Sequence, residues 1–516
     1  MEILEFVNKN DTTFDLSNIE ESSKELYIDQ CIENISKSVE ILSSLVCLRI
    51  LTRDDSARKY MINNGVVQIL YPITKLEICQ VEDNILQINQ ESTVEALKCL
   101  CNIVFKNPEV IPKLRMLNMT PHLLNRIKSY NSLAYDYSIK LFDLKLIFIY
   151  TARQDEISLD ILENENFFGV FSEFLDRYAL NPPLQDLEFE LIIEFLKFSY
   201  NILMILDKNT EKYQESFNIS IKKIQIIIDS KPSNMENYME IIRHIINLLS
   251  LFPTSCYSML VRKNFEKTCD KKILFDRTAF KTINRFLKFF DYMDSKLECN
   301  QALSKRDHLY PIMALLVSFI QSSESIRHYL KIKILPPLGD DVRKLPHEGN
   351  TLRNRLCKYL TSSTSELAES SAMIIYLLCN KNVNKAIKYT GFGNFAGFLS
   401  RHGLMNFSSN DQTISDDESE TEEYLKLCET INPVTGRWEP DFLKKQQEIF
   451  DGMSEEQKEY EAMKLVEKID RLQRHGFIQP GTVDDSGHVK PVSHILELIN
   501  NVPEKCIQES VKDNSD

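Results

Sequence analysis

The sequence predicts an all-α chain assembled from repeated helices, and three observations predict it. Apolar residues recur at three- and four-residue spacing almost without interruption from about residue 33 to 400, the period of one helix face. The interruptions are rich in Pro and Asn: Asn63-Asn64-Gly65, Asn107-Pro108, Asn181-Pro182-Pro183, Lys231-Pro232-Ser233 and Pro336-Pro337, residue types that stop helices. No stretch alternates strictly between apolar and polar, so strands are not expected. The 13 glycines in 516 residues fall well below the usual ~7%. That is too few for a turn-rich β architecture or for glycine-rich phosphate loops.

Residues 1–30 come first. They are polar and turn acidic within five residues (MEILEFVNKNDTTFD), which predicts a loose N-terminal arm with a short helix and no secretory signal. Residues 31–400 form the repeat region. Four segments in it share one template: Glu95-ALKCLC-Asn102-IV, Glu194-FLKFSY-Asn201-IL, Glu240-IIRHII-Asn247-LL and Glu369-SSAMII-Tyr376-LL. The first three carry a basic residue at the fourth position: Lys98, Lys197 and Arg243. Two further helices put Arg49 (VCLRILTRD) and Phe148 (LKLIFIYTA) where the others have Asn. Positions 49, 102, 148, 201 and 247 are separated by 53, 46, 53 and 46 residues, close to the ~40–47-residue period of armadillo and HEAT repeats. The gap from 247 to 376 has room for two more units, one of them built on PIMALLVSFIQ. The expected architecture is therefore an armadillo/HEAT-like superhelix with a partly disordered C-terminal region.

Seven residues is nearly two helical turns, so the Glu and Asn of each template lie on one stripe. In such stacks the last helix of each unit lines the concave face. A row of Asn amides there offers donors and an acceptor at regular intervals, suited to holding a polypeptide backbone. Asn102, Asn201 and Asn247, with Arg49 and Phe148 in the same register, are the candidate groove residues. The competing reading is that these amides only satisfy neighbouring helix ends.

Residues 401–430 form an acidic linker. Between His402 and Lys426 there is no basic residue, and seven acids sit in DQTISDDESETEEY, a composition that predicts disorder. Ser415 has Glu418 three residues on, and Ser419 has Glu422, the arrangement used by an acidophilic kinase of the casein kinase II type. Residues 431–480 contain an amphipathic helix, MSEEQKEYEAMKLVEKIDRLQRHG, starting at Met453-Ser454 and stopped by Gly476. Residues 481–516 read as a flexible tail around one apolar stretch, HILELI.

The net charge is −14, laid out as −13 over residues 1–240, +11 over 241–400 and −12 over 401–516. An acidic chain is a poor general binder of nucleic acid. The uneven layout raises the expectation that the acidic tail folds back on the basic block. Twelve scattered cysteines make no disulfide scaffold. The Cys99/Cys101 pair sits in a helical apolar pattern and reads as core, not as metal ligands. Apolar runs such as KLIFIY are too short to span a bilayer. No HExxH, GxSxG or Walker loop occurs, and Gly391-Phe392-Gly393-Asn394 lacks the preceding strand that a dinucleotide loop needs. The reading is a cytoplasmic monomer with no cofactor, no metal and no catalytic residues, whose function is to bind a protein segment. It leaves room for recruitment to the cell cortex or plasma membrane.

Longer motifs carry a resemblance. In order they are LRILTRD (48–54), EALKCLCNIVF (95–105), FDLKLIFIYTA (142–152), KILPPLGDDVRKLPHEGNTLRNRLCKYL, IKYTGFGNFAGFLSRHGLM, INPVTGRWE, GMSEEQKEYEAMKLVEKIDRL and FIQP. Together they resemble the synembryn (resistance to inhibitors of cholinesterase) family from about residue 40 to 480. The resemblance implies a receptor-independent guanine-nucleotide exchange factor and folding chaperone for G-protein α subunits, acting on free Gα and not on the βγ-bound trimer. It implies that the concave face captures the Gα C-terminal helix, which lowers GDP affinity until GTP displaces the factor. By the same resemblance Arg49 and Arg53 match contacts to the Gα C-terminal carboxylate and backbone, Asn102 matches a groove asparagine, and Lys385 falls where the family has a basic groove residue. Ser415 and Ser419 fall in the family's phosphorylated acidic tract. The alternative is an armadillo-type adaptor for another peptide, without exchange activity.

Overall fold

In the computed structural model the described residues are 3–78, 89–131, 135–180, 186–206, 211–230, 234–261, 279–300, 302–405, 421–441, 448, 451–474, 481–483 and 489–492. They form two compact units, divided after Tyr292.

The helices of the first unit are α1 (Ile3–Asn10), α2 (Glu21–Ser36), α3 (Ile41–Leu51), α4 (Asp55–Asn63), α5 (Val66–Ile73), α6 (Gln90–Lys106), α7 (Ile111–Met116), α8 (Met119–Lys128), α9 (Tyr137–Thr151), α10 (Asp155–Glu163), α11 (Phe167–Leu180), α12 (Asp186–Met204), α13 (Gln214–Asp229) and α14 (Met235–Leu249). Their starts follow from side-chain caps. Asn89 accepts from the Ser92 N–H at 3.2 Å, Asp136 from Ser138 at 2.7 Å and Asn234 from Glu236 at 2.9 Å, each satisfying an N–H that the first turn leaves unpaired.

The five helices that carry positions 49, 102, 148, 201 and 247 pack one on the next, in the order α3, α6, α9, α12, α14. A second set lies behind: α2 packs on α3, α5 on α6, α8 on α9, and α11 joins α8 to α13. The apolar stripes meet between the two sets. Around α11 and α12 the core is aromatic, with Phe174 stacked on Phe195 at 3.8 Å between centroids and Phe167 edge-on to Phe198 at 5.9 Å. Each such buried ring contributes about 1.5–3 kcal/mol relative to exposure.

Both Arg126 of α8 and Asp143 of α9 are fully buried and form an ion pair. The Arg126 Nε donates to Asp143 at 2.8 Å, Tyr130 donates its hydroxyl to the same carboxylate at 2.9 Å, and the Arg126 Nη1 reaches the Thr74 carbonyl at 2.7 Å. The pair thus ties the end of α5 and both helices together.

The N-terminal segment is folded onto this unit, with Ile3 and Phe6 buried and α1 packed on α3. Cys99 and Cys101 are buried in α6, as core residues.

Helix α15 (Lys281–Cys299) contains the division between the units. The second unit continues with α16 (Lys305–Ser322), α17 (Glu324–Ile334), α18 (Leu352–Leu360), α19 (Ser365–Leu378), α20 (Val383–Thr390), α21 (Phe392–Arg401), α22 (Glu422–Leu427) and α23 (Glu455–Arg474). Helix α19 packs on both α16 and α18. The loop after α22 then folds onto the start of α21: the N–H groups of Phe392 and Gly393 donate to the carbonyls of Pro433 and Val434, each at 2.9 Å. Gly391 makes that approach possible. Its φ is +77°, and a Cβ there would lie 2.7 Å from the Thr435 backbone. Arg343 covers the Trp438 ring at 4.7 Å, and the Trp438 N–H donates to the Val342 carbonyl at 2.8 Å.

Helix α23 begins with a capping box between Ser454 and Gln457 and buries none of its residues. The expectation of no strands needs correction. Gly481–Val483 and Val489–Pro491 pair antiparallel as β1 and β2, strands too short for alternation to register in the sequence. Ser415 and Ser419 lie outside the described residues. No helix among the described residues is long and apolar enough to cross a membrane.

Candidate functional site

The repeated Glu of the template holds the basic residue three positions on. Glu95 pairs with Lys98 at 2.7 Å, Glu194 with Lys197 at 2.9 Å, and Glu240 with Arg243. Two of the heads lie over aromatic rings of α9, Lys98 over Phe142 at 5.3 Å and Lys197 over Phe148 at 5.8 Å. Hydrogen bonds from His244 and Arg243 hold the Glu240 carboxyl well below the usual carboxylate range. The stripe is therefore a line of anchored cations, two of them set against aromatic faces.

The asparagines divide their groups between the stack and the surface. Asn102 donates its amide to the Thr52 hydroxyl at 2.8 Å. Asn201 donates to the Phe148 carbonyl and the Thr151 hydroxyl, both at 3.1 Å. Thr52 and Thr151 in turn donate to carbonyls in the last turns of α3 and α9. These amides thus brace the C-terminal turn of the preceding helix in the row, which is the competing reading set out above. The donors serve the stack, and the amide oxygen is the group a ligand can use. Asn247 sits half-exposed on α14. The place matching Thr52 and Thr151 on α12 is Met204, which has no hydroxyl to brace.

Arg49, Arg53 and Asn102 come together. With Thr52, Lys98 and Phe105 they line a cavity of about 420 Å³. A second cavity of about 510 Å³, floored by Leu42, Val46 and Val94 and edged by Glu91 and Asp136, shares Lys98 with it and is also lined by Glu95. One end is basic and the other acidic.

Arg49 is pinned between Glu95 and Asp11, each at 2.6 Å. Arg53 donates Nη1 to the carbonyls of Asn10 (3.1 Å) and Thr13 (2.5 Å) and Nη2 to that of Asp11 (2.8 Å). Its guanidinium also faces the Phe14 ring at 4.9 Å. The Arg49 hydrogen bond holds the Asp11 carboxyl below its ordinary value. Burial lowers the Arg53 guanidinium, helped by the charge of Arg49 beside it.

The other sequence-derived candidates stand elsewhere. Phe148 groups with Lys197 and Asn201 and is not among the residues lining either cavity. Lys385 belongs to the second unit, where its backbone N–H is capped by Asn382 at 2.9 Å. Sequence reasoning missed Phe14, Phe105, Phe142 and Arg153. Arg153 covers Phe105 at 5.2 Å and donates to its carbonyl at 2.5 Å. A partial signal for it existed: an Arg follows each Thr, one residue after Thr52 and two after Thr151.

The family model described as guanine nucleotide exchange factor synembryn matches residues 44–488. A chaperone Ric-8A from Xenopus tropicalis is 30% identical over 504 residues, covering 93% of this chain and 91% of that protein. A chaperone Ric-8A from Gallus gallus is 31% identical over 428 residues, covering 79% and 76%. A chaperone Ric-8 from Drosophila pseudoobscura pseudoobscura is 29% identical over 504 residues, covering 90% and 88%.

Proposed function

From the premise that this chain belongs to the guanine nucleotide exchange factor synembryn family, we propose that it is a chaperone and receptor-independent exchange factor for free G-protein α subunits in the cytoplasm. It regulates a GTPase and performs no covalent chemistry of its own. The observation that carries the reading is the groove of the first unit, where Arg49, Arg53 and Lys98 face one cavity beside Asn102 and Phe105. A basic end next to aromatic faces and an amide acceptor suits a helical tail that ends in a carboxylate.

The mechanism is a population shift. The Gα C-terminal helix packs near the guanine pocket of its own domain, and seating it in this groove removes that packing. The factor then binds nucleotide-free Gα better than the loaded form and draws the population toward it. GTP with magnesium reverses the binding by reciprocal linkage. The same preference holds newly made Gα in a foldable state. In this reading the two helix sets of the first unit are armadillo/HEAT-like repeats, Asn201, Asn247 and Phe148 extend its contact surface, and Lys385 of the second unit makes a contact of its own to Gα. An acidophilic kinase modifies Ser415 and Ser419, which phosphopeptide mass spectrometry of the purified protein checks.

The test is release of a fluorescent GDP analogue from purified free Gα. The chain should accelerate release and form a complex that GTP dissolves. Binding that is indifferent to nucleotide would support the armadillo-type adaptor instead, and no binding to nucleotide-free Gα would end the proposal.

A further inference from the structure

The basic end of the groove already holds a peptide: the chain's own residues Asn10–Phe14. Arg53 reads three backbone carbonyls of this segment, and Arg49 takes the Asp11 carboxylate at 2.6 Å. Phe14 completes the contact over the Arg53 guanidinium, yet it is 81% exposed. The Asp11 side chain is 54% exposed. A residue that helps to build a core is buried by it, and these two are not. They lie on the surface of the groove, on the donors that an incoming carboxylate would use.

The anchoring around the segment is uneven. On its N-terminal side, α1 is fixed by buried Ile3 and Phe6, and the Asn10 side chain donates to the Phe6 carbonyl at 2.9 Å. On its C-terminal side, Leu16 is 3% exposed. Between these anchors the segment is held by the two arginines and by two turn bonds of its own, Asp11 N–H to the Val7 carbonyl and Thr13 N–H to the Asn10 carbonyl, each at 3.0 Å. Such a strap can lift from the groove without unfolding what lies on either side.

We propose that Asn10–Phe14 is an internal ligand of the Arg49/Arg53 subsite, one that a carboxylate-bearing partner segment must displace. This rests on the peptide-groove reading above. Each guanidinium has a fixed set of N–H donors. Arg53 spends two of its nitrogens on the strap and Arg49 one, so a partner cannot gain full bidentate contact while the strap is seated. Apparent affinity is then reduced by the fraction of molecules in which the strap is open. The Asp11 carboxylate imitates the charge of the incoming group, and the carbonyls at 10, 11 and 13 imitate its backbone.

The experiment titrates the full-length chain with a synthetic peptide copying a Gα C-terminal segment, as free acid and as C-terminal amide. If wild type binds neither form, the groove reading fails, and the strap proposal fails with it. If wild type prefers the free acid, the groove reading stands and the strap is tested by Asp11→Asn and Phe14→Ala. Each should tighten the free acid roughly three- to tenfold. Phe14→Ala guards against a trivial cause, because it removes no negative charge that could repel the peptide. Unchanged or weakened binding in both variants overturns the proposal and makes the segment a fixed wall of the groove. Phe14→Trp supplies a second readout, with wild type as the blank for the native tryptophan. The fluorescence of the added indole should change along the peptide titration with the same midpoint as binding. An indole that stays silent while peptide binds overturns the proposal as well.

Discussion

Replacing Asp143 by Asn should cost the first unit about 3–5 kcal/mol, the range for stripping one partner from a buried ion pair. Arg126 and Asp143 are both fully shielded from water. The carboxylate accepts from two nitrogens of Arg126 and from the Tyr130 hydroxyl. An Asn side chain has one acceptor oxygen, and its NH2 would face donors. The guanidinium would then be a buried charge that keeps the Thr74 carbonyl but has lost its counter-ion. Burial pushes the Asp143 carboxyl above its ordinary value, against the pull of Arg126. The sign of that shift matters. A raised carboxylate pKa means that ionising this group in the folded state is itself costly, so stability drawn from it falls as pH rises from the unfolded toward the folded value. Removing the whole cluster with Arg126→Met, Asp143→Leu and Tyr130→Phe should therefore be far milder, within about 1–2 kcal/mol of wild type. The single tryptophan, Trp438, is in the second unit, so its fluorescence is the wrong probe. Hydrogen exchange at the amides of α8 and α9 is the right one, and Asp143→Asn should lower protection there by roughly two to four orders of magnitude. A loss below about 1 kcal/mol, or a triple variant as damaged as the single one, would refute the view that an uncompensated charge is the cause.

Asn201→Ala should cost about 1 kcal/mol by removing the amide that donates to the Thr151 hydroxyl and to the Phe148 carbonyl, which keeps the Ala152 N–H at 3.0 Å and the Thr151 hydroxyl at 3.1 Å, read as increased exchange at the end of α9. Asp54 caps α4 and accepts from Lys24 at 2.7 Å and from the Ala57 N–H at 3.0 Å. Burial works against its ionisation, but these donors outweigh burial and hold its carboxyl at about 2. Its contribution is present above the ordinary carboxylate value near 4 and is lost as pH falls toward 2. Linkage gives up to about 2 kcal/mol, nearer 1 after solvent screening, and Asp54→Asn should flatten that part of the acid-unfolding profile measured by circular dichroism.

The row of helices was legible because burial imposes it. Each of α3, α6, α9, α12 and α14 must turn an apolar stripe to its neighbours, and the polar stripe left over repeats at the spacing of the stack. The direction of the amides was not legible from the Asn positions. It depends on a hydroxyl three residues beyond the row position on the preceding helix, present as Thr52 and Thr151 and missing at Met204. The glycines at 391 and 393 were visible, but their partner, the loop around Thr435 and Gly436, lies far along the chain and only the fold brings it to them. The Asn10–Phe14 strap had no signal at all. It has no period, and its contacts go to arginines some 40 residues away whose periodicity reports their own helix.

A chain of net charge −14 presents a basic groove because its carboxylates are placed where they orient cations rather than cancel them. Glu95 illustrates the device. It touches both Arg49 and Lys98, so one negative charge fixes two positive heads and the cluster remains net positive toward a ligand. Asp11 acts on the same cluster from outside and brings the local balance closer to neutral. Lifting the strap would therefore do two things at once: free the N–H donors of Arg49 and Arg53, and restore a full positive charge to the subsite. Geometry and field would change together, so a partner carboxylate that removes Asp11 enters a site made more attractive by its own arrival.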